Sequence, residues 1–409
     1  MGADTRTEEN DPAGENDRAG VDGQAGENGQ ADEDEPADEP ADGQAGDPRI
    51  GAAIARLTAS GVLGGAAGDR VARVTALSGG TYNTLAAVEL TGGERLVLKI
   101  PPPLGAPGLR YERGLLHGEA LFYAAAATVG VPAPRVLHTR GDLAPGAEAD
   151  ADVDAPADLA MNTAADTTTN TATNTAADDV PFALMTHLPG VTWWSAADGM
   201  EERERDRLRE SLGRMVARLH GVAGPGVGYP SRSTGAPGRW AEAFAAMTGA
   251  VLDDAERYGA WLPRPAARVR AALAAATPLL AEVTTPALVH FDLWPGNVLV
   301  DGPAGRREIS GLIDGERMFW GDPLADFASL SLFAADAERD PAFLAGYGAG
   351  GGRTVFDAGA LRRIALYRCY LYLIMLVEVV PREYGAEHTA WVRTFAGPRL
   401  EEALGAAAG

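Results

Sequence analysis

The stretch "LVHFDLWPGNVLV", residues 288–300, sets His290, Asp292 and Asn297 between two short apolar runs, Leu288-Val289 and Val298-Leu299-Val300. Apolar runs of this length bounded by turn residues read as buried strands, and buried strands carry polar groups only where something satisfies them. The next stretch, "ISGLIDGERMFWGDPLADFASL" (309–330), repeats the pattern: the run Gly311-Leu312-Ile313 leads into Asp314 and Gly315. A hairpin from 298 to 313 places Asn297 and Asp314 side by side at its open end. Two adjacent oxygen donors without His or Cys suit a hard cation, magnesium foremost, which completes its shell with phosphate and water. Asp292, at the head of the tight Trp294-Pro295-Gly296 loop, faces the same cavity; a carboxylate there can orient a substrate hydroxyl and accept its proton. Taken singly, each of these residues reads equally well as a loop cap. The spacing carries the chemistry: Asp-x4-Asn, an apolar strand pair, then Asp-Gly.

A second signal is independent. Of 35 basic side chains, only Lys99 is a lysine, at the end of the strand "LVLKI". Its compact ammonium suits phosphate oxygens reached from a strand, where a planar guanidinium fits less well. Glu119, in the following helix, is its leading partner, with Glu112 the fallback. Upstream, Ser78-Gly79-Gly80 forms a glycine turn whose backbone either approaches phosphates or simply closes a hairpin.

The 409 residues exceed one ordinary core. The formal charge of −22 disfavours a nucleic-acid partner, but it is concentrated: residues 1–48 carry 16 acidic side chains against two arginines, residues 141–180 carry nine against none, and the remainder lies within one charge of neutral. Both acidic segments lack large apolar side chains, so residues 1–49 read as a disordered tail and residues 143–179, with "NTAAD" repeated, as a low-complexity insertion. Cys369 is the only cysteine, which fits a reducing compartment. The N-terminus has no apolar signal region, and the longest apolar stretch, "YLYLIMLVEVV" (370–380), is too short for a bilayer. A cytoplasmic protein is expected.

Residues 50–187 read as a small mixed sheet with one helix. "LAAVEL" and "RLVLKI" form a hairpin across Thr91-Gly92-Gly93-Glu94, "RGLLHGEALFYAAAATVG" is helical, and "APRVLHT" and "PFALMTHL" are further strands on either side of the insertion. Residues 188–409 read as mostly helical: Leu208, Leu212, Met215, Val216 and Leu219 mark one buried face, and 239–258, 264–282, 324–336 and 359–380 are also helices.

With these pieces in place, "HFDLWPGN", "LIDGE", "GDPLADFASL", "GVPAPRVL", "FALMTHLPG" and "LGRMVARLHG" together resemble the aminoglycoside phosphotransferase family, small-molecule kinases with the two-lobed α+β fold of protein kinases. The resemblance spans roughly residues 50–400. It implies an ATP- and magnesium-dependent enzyme that phosphorylates a hydroxyl of a small molecule, with no nucleic-acid or membrane partner. It further implies that Lys99 contacts ATP phosphates with Glu119 paired to it, that Leu184, Met185, Thr186 and His187 form the hinge receiving adenine, that Asp292 is the catalytic aspartate, and that Asn297 and Asp314 hold magnesium. His290 supports the loop, and Asp322 and Asp326 brace the C-lobe, the latter by local capping. Trp240, Glu378 and Tyr384 are candidates to line the acceptor pocket. Many members have Gly where Phe291 stands and a larger, often aromatic residue where Gly315 stands. "DLW" is similar to fructosamine kinases, the runner-up. A nucleotide-binding scaffold without transfer is opposed by the intact Lys99, Asp292, Asn297 and Asp314 set, and a protein kinase by the lack of an evident activation segment.

Overall fold

The computed structural model describes residues 47–64, 70–77, 82–103, 105–141, 180–230 and 238–409. Most of the acidic tail, the insertion, and Ser78-Gly79-Gly80, where a glycine turn is expected, lie outside the described residues. Helix α1 (Pro48–Ala59) begins within the segment expected to be tail: Asp47 caps it by accepting from the Arg49 amide at 2.9 Å, with proline in the first turn.

Strands β1 (Val71–Leu77), β2 (Thr84–Leu90) and β3 (Arg95–Ile100), helix α2 (Leu115–Thr128), then β4 (Val136–Arg140) and β5 (Phe182–Thr186) complete the N-lobe. The antiparallel sheet runs β1-β2-β3-β5-β4. Strand periodicity sorts its side chains. Leu96, Leu98, Ile100, Phe182 and Leu184 pack with Ile50, Ala53 and Leu57 of α1 in a satellite core. Their alternates, Ala183 and Met185, join the main core shared with α2 and the C-lobe. Lys99, opposite Leu85 and Ala183 in register, therefore sits on the sheet face turned toward the C-lobe.

The C-lobe opens with β6 (Val191–Thr192), α3 (Trp193–Ala196) and α4 (Glu202–His220), followed by α5 (Trp240–Tyr258) and α6 (Ala266–Ala276). Four short strands follow: β7 (Ala287–Val289), β8 (Val298–Asp301), β9 (Glu308–Leu312) and β10 (Phe319–Gly321). As expected, β8 and β9 form a hairpin. Val298 pairs with Leu312, and the Ile313 amide donates to the Asn297 carbonyl at 3.0 Å. The chain ends in α7 (Asp326–Leu330), α8 (Pro341–Ala349), α9 (Ala358–Glu378) and α10 (Ala386–Ala408). No helix among the described residues is long and apolar enough to cross a membrane.

Helical expectations differ from this in three places. The helix expected over 324–336 is confined to 326–330, and Phe333 adopts φ 56°. Helix α8 was hidden by its glycines. They serve close packing against α4: a Cβ on Gly346 would collide with the Glu210 carbonyl, and one on Gly213 with the Phe343 carbonyl. Helix α10 contains Pro398, a residue that reads as a helix stop, yet it buries Val392, Phe395, Leu400 and Leu404.

Candidate active site

The Lys99 ammonium meets three carboxylates. It donates to Asp314 Oδ1 at 2.6 Å and lies 2.8 Å from Glu316 Oε2 and 3.0 Å from Glu119 Oε2. The leading partner expected, Glu119, is present, but the aligned hydrogen bond goes to Asp314. The fallback, Glu112, is elsewhere, buried against Arg382. Tyr123 joins two members, donating to Glu119 Oε1 at 2.7 Å and accepting from the Asp314 amide at 3.0 Å. Asn83, at the head of β2, donates to Glu316 Oε2 at 2.7 Å. Burial works against the Lys99 charge, yet Asp314, Glu119 and Glu316 hold its pKa well above the ordinary value. Burial pushes the Glu119 carboxyl up to about 7 despite Lys99. Burial also acts to raise Asp314, but the charge and hydrogen bond of Lys99, with Arg317 behind, hold it below the usual carboxylate range. The lysine side chain is 5% exposed and that of Asp314 38%, so Asp314 is the open face of the cluster.

The loop carrying Asp292 is fixed by side chains. Four consecutive amides each donate to one: His290 and Phe291 to Asp326 (3.2 and 2.7 Å), Asp292 to His290 Nδ1 (3.2 Å) and Leu293 to Ser329 Oγ (3.0 Å). Asp326 also accepts from His220 Nε2 at 2.9 Å. Its bracing is thus long-range, linking the loop to α4 and α7, and not the local capping expected. Asp322 braces as expected, accepting from Arg363 Nε at 3.0 Å and the Tyr367 hydroxyl at 2.8 Å. Because Nδ1 of His290 accepts, its Nε2 is the donor to the Ile313 carbonyl at 3.0 Å, tying the Asp292 loop to the Asp314 turn. Burial lowers its pKa, in keeping with a neutral supporting ring.

This bracing explains both departures from the family pattern. Phe291 sits at φ 62°, where glycine is unstrained. Its amide bond to Asp326 and its ring contacts with Phe319 (5.1 Å) and Tyr370 (5.4 Å) offset the strain. A Cβ on Gly315 would strike the ring of Phe122, which is fully buried. The space beside the turn is filled by Phe122 of α2.

Around Asp292 the charges alternate. Arg317 Nε lies 3.9 Å from Asp292 Oδ2, Arg317 Nη2 donates to Glu378 Oε2 at 3.0 Å, Glu378 lies 3.2 Å from Arg382 Nη2, and Arg382 Nε donates to Glu112 Oε1 at 3.0 Å. Burial pushes the Asp292 carboxyl up to about 7; Arg317 opposes this, while Asp314, Glu378 and Glu316 add to it. A carboxylate near 7 accepts a proton readily at neutral pH.

Asn297 and Asp314 lie together at the hairpin mouth. The Asn297 amide nitrogen donates to the Asp292 carbonyl at 2.8 Å, which leaves its Oδ1 as the donor toward a cation. Among the described residues no group of three or more His, Cys, Asp or Glu is arranged to hold a metal alone. Two protein oxygens beside a phosphate chain fit magnesium, which keeps waters and phosphates as its other ligands. At residues 184–187, expected to be the hinge, the Thr186 and His187 amides donate to the Arg135 and Arg95 carbonyls (3.0 and 3.2 Å). Trp240 is buried in the core, donating to the Tyr367 hydroxyl at 2.9 Å, and is no pocket wall. Sequence reasoning missed Glu316, Arg317, Asn83 and Tyr123; the signal for the first two was a charged pair held between the apolar runs 311–313 and 318–320.

The model of the phosphotransferase enzyme family matches residues 73–367. Among solved structures, a thermostable aminoglycoside phosphotransferase mutant in ternary complex with AMP-PNP and hygromycin B is 18% identical, with TM-score 0.53, covering 83% of this chain and 95% of its own. A Thermobifida fusca protein described as a fructosamine-3-kinase is 22% identical, with TM-score 0.54 and coverage of 86% and 99%. An aminoglycoside 2'-phosphotransferase in complex with GDP is 15% identical, with TM-score 0.54 and coverage of 88% and 99%. At these identities the likeness is one of fold, the two-lobed protein-kinase-like arrangement expected from the sequence.

Proposed function

The chain belongs to the phosphotransferase enzyme family, and from that premise we propose that it is an ATP- and magnesium-dependent cytoplasmic kinase that transfers the γ-phosphoryl group to a hydroxyl of a small molecule. One observation carries most weight. Lys99, from the N-lobe sheet, and Asp314, 215 residues later, meet at 2.6 Å beside the loop of Asp292 and Asn297. That is the grouping phosphoryl transfer needs: a cation for the phosphates, oxygens for magnesium and a carboxylate for the acceptor.

Lys99 holds the phosphates, exchanging part of its carboxylate shell for phosphate oxygens. Asn297 and Asp314 would hold magnesium, which supplies charge neutralisation on the transferring phosphates. Asp292 accepts a hydrogen bond from the acceptor hydroxyl and aligns its oxygen with the γ-phosphorus. As the new O–P bond forms and the bond to the ADP oxygen breaks, the hydroxyl proton passes to Asp292 and then to solvent. The amide bonds to Asp326, His290 and Ser329 keep this carboxylate in place, so positioning supplies much of the rate. Residues 184–187 and Ser78, Gly79 and Gly80 remain the proposed nucleotide contacts, with Glu119 supporting Lys99.

The test is coupled detection of ADP with MgATP and a panel of hydroxylated compounds. Asp292→Ala should lower kcat by about 10²–10⁴ while leaving ATP binding nearly intact. Wild-type turnover in that variant would remove Asp292 from the chemistry.

A further inference from the structure

Six aromatic side chains form a continuous run beginning at the catalytic loop. Trp294, two residues past Asp292, lies 5.8 Å from Trp194 and 5.7 Å from Phe333 between ring centroids. Phe333 lies 6.0 Å from Trp391, Trp391 5.6 Å from His388, and His388 4.5 Å from Tyr384. The Tyr384 hydroxyl then accepts from Arg382 at 3.1 Å, and through Glu378 and Arg317 the path returns to Asp292. Rings and charges together therefore form a connected path from the loop of Asp292 back to its carboxylate. All six rings are partly exposed. They are backed by buried Phe395, tilted 5.0 Å from Phe333 and stacked 5.2 Å from Trp391. Holding Phe333 at φ 56°, strained for an aromatic residue, keeps its ring in the run. An unbroken run of partly exposed rings next to the loop of Asp292 offers flat faces on which a ligand ring can stack.

Charge narrows what it binds. Glu378 is matched by Arg317 and Arg382, Glu112 by Arg382, and Asp336 and Glu338 by Arg368. Glu383 and Glu387 are exposed at the outer rim, where solvent screens them. A polycation bound next to Asp292 would have to displace arginines from their partners, whereas the rings offer stacking to apolar ring faces.

Resting on the phosphotransferase reading above, we infer that this run is the acceptor wall, and that the acceptor is a neutral or singly charged hydroxylated compound with an apolar ring face, such as an aryl glycoside, and not a polycationic aminoglycoside.

The full chain would be assayed with MgATP against a series of aryl glycosides and hydroxylated polycyclic compounds, and in parallel against polycationic aminoglycosides. Nucleotide binding would be followed separately by thermal shift. The expected result is that a member of the first group exceeds every polycation in kcat/KM by about ten-fold or more. For that acceptor, Trp391→Ala raises KM about ten-fold with kcat little changed, and Trp391→Phe restores most of the loss. Trp194→Ala provides the same check from the other end of the run. Preference for polycations, transfer to neither group by a chain that binds MgATP, or an unchanged KM in both alanine variants would overturn the inference while leaving nucleotide binding standing. A chain that does not bind MgATP would instead overturn the phosphotransferase reading and this inference with it.

Discussion

Asp314 and Asp292 are both aspartates beside one cleft, but their surroundings are balanced in opposite ways. At Asp314 one ammonium faces three carboxylates, so the proposed nucleotide side is short of positive charge. Near Asp292, acids and arginines alternate from Glu112 to Arg317, and the Asp292 carboxylate stands furthest from its arginine, at 3.9 Å. The difference teaches a division of labour. On the proposed reading, the Lys99 side is completed by an imported cation together with phosphate, while the arginines beside Asp292 set the basicity of the proposed base.

Two changes test that contrast from either side. The larger effect is expected for Lys99→Ala. It removes the cluster's only cation and leaves three carboxylates facing incoming phosphates, so kcat/KM for ATP should fall by about 10²-fold or more. An unimpaired variant in steady-state assays would mean that the nucleotide side does not depend on this ammonium. The smaller effect is expected for Arg317→Gln. Arg317 holds the Asp292 pKa down against burial, so its loss should raise that pKa further above about 7. The proton-accepting form is the ionised one, so activity is lost as pH falls through this value. The acid limb of the kcat/KM profile should therefore move to higher pH by about one unit, with activity largely recovered near pH 9. A profile that keeps its acid limb would break the link between the arginine and the base.

How much was legible beforehand follows the range of the interactions. Asp292, Asn297, Asp314 and Lys99 could be picked out because each stands at the end of a short apolar strand, and strand period plus hairpin register fix where such ends point. The partners of these residues were harder. Glu316 reaches Lys99 and Asn83 only because Asp314 turns the chain through φ 60°. Asp326 holds amides 35 and 36 residues away. Neither fact has a local pattern. Composition misled at glycine and proline: α8 keeps its glycines so that α4 can approach, and α10, packed on α9, carries Pro398 on its exposed side. Phe291 and Gly315 looked like departures from the pattern, and the fold resolves both: one is braced by Asp326, the other yields its space to Phe122.

The charge imbalance at Lys99 is tested most directly by titration calorimetry of ATP, with magnesium and with EDTA, on the wild-type chain and on Asp314→Asn. Magnesium should tighten ATP binding to the wild type by about ten-fold or more, and that gain should largely vanish in the variant. ATP affinity indifferent to magnesium, or a gain of the same size in Asp314→Asn, would contradict the assignment of this side of the cleft.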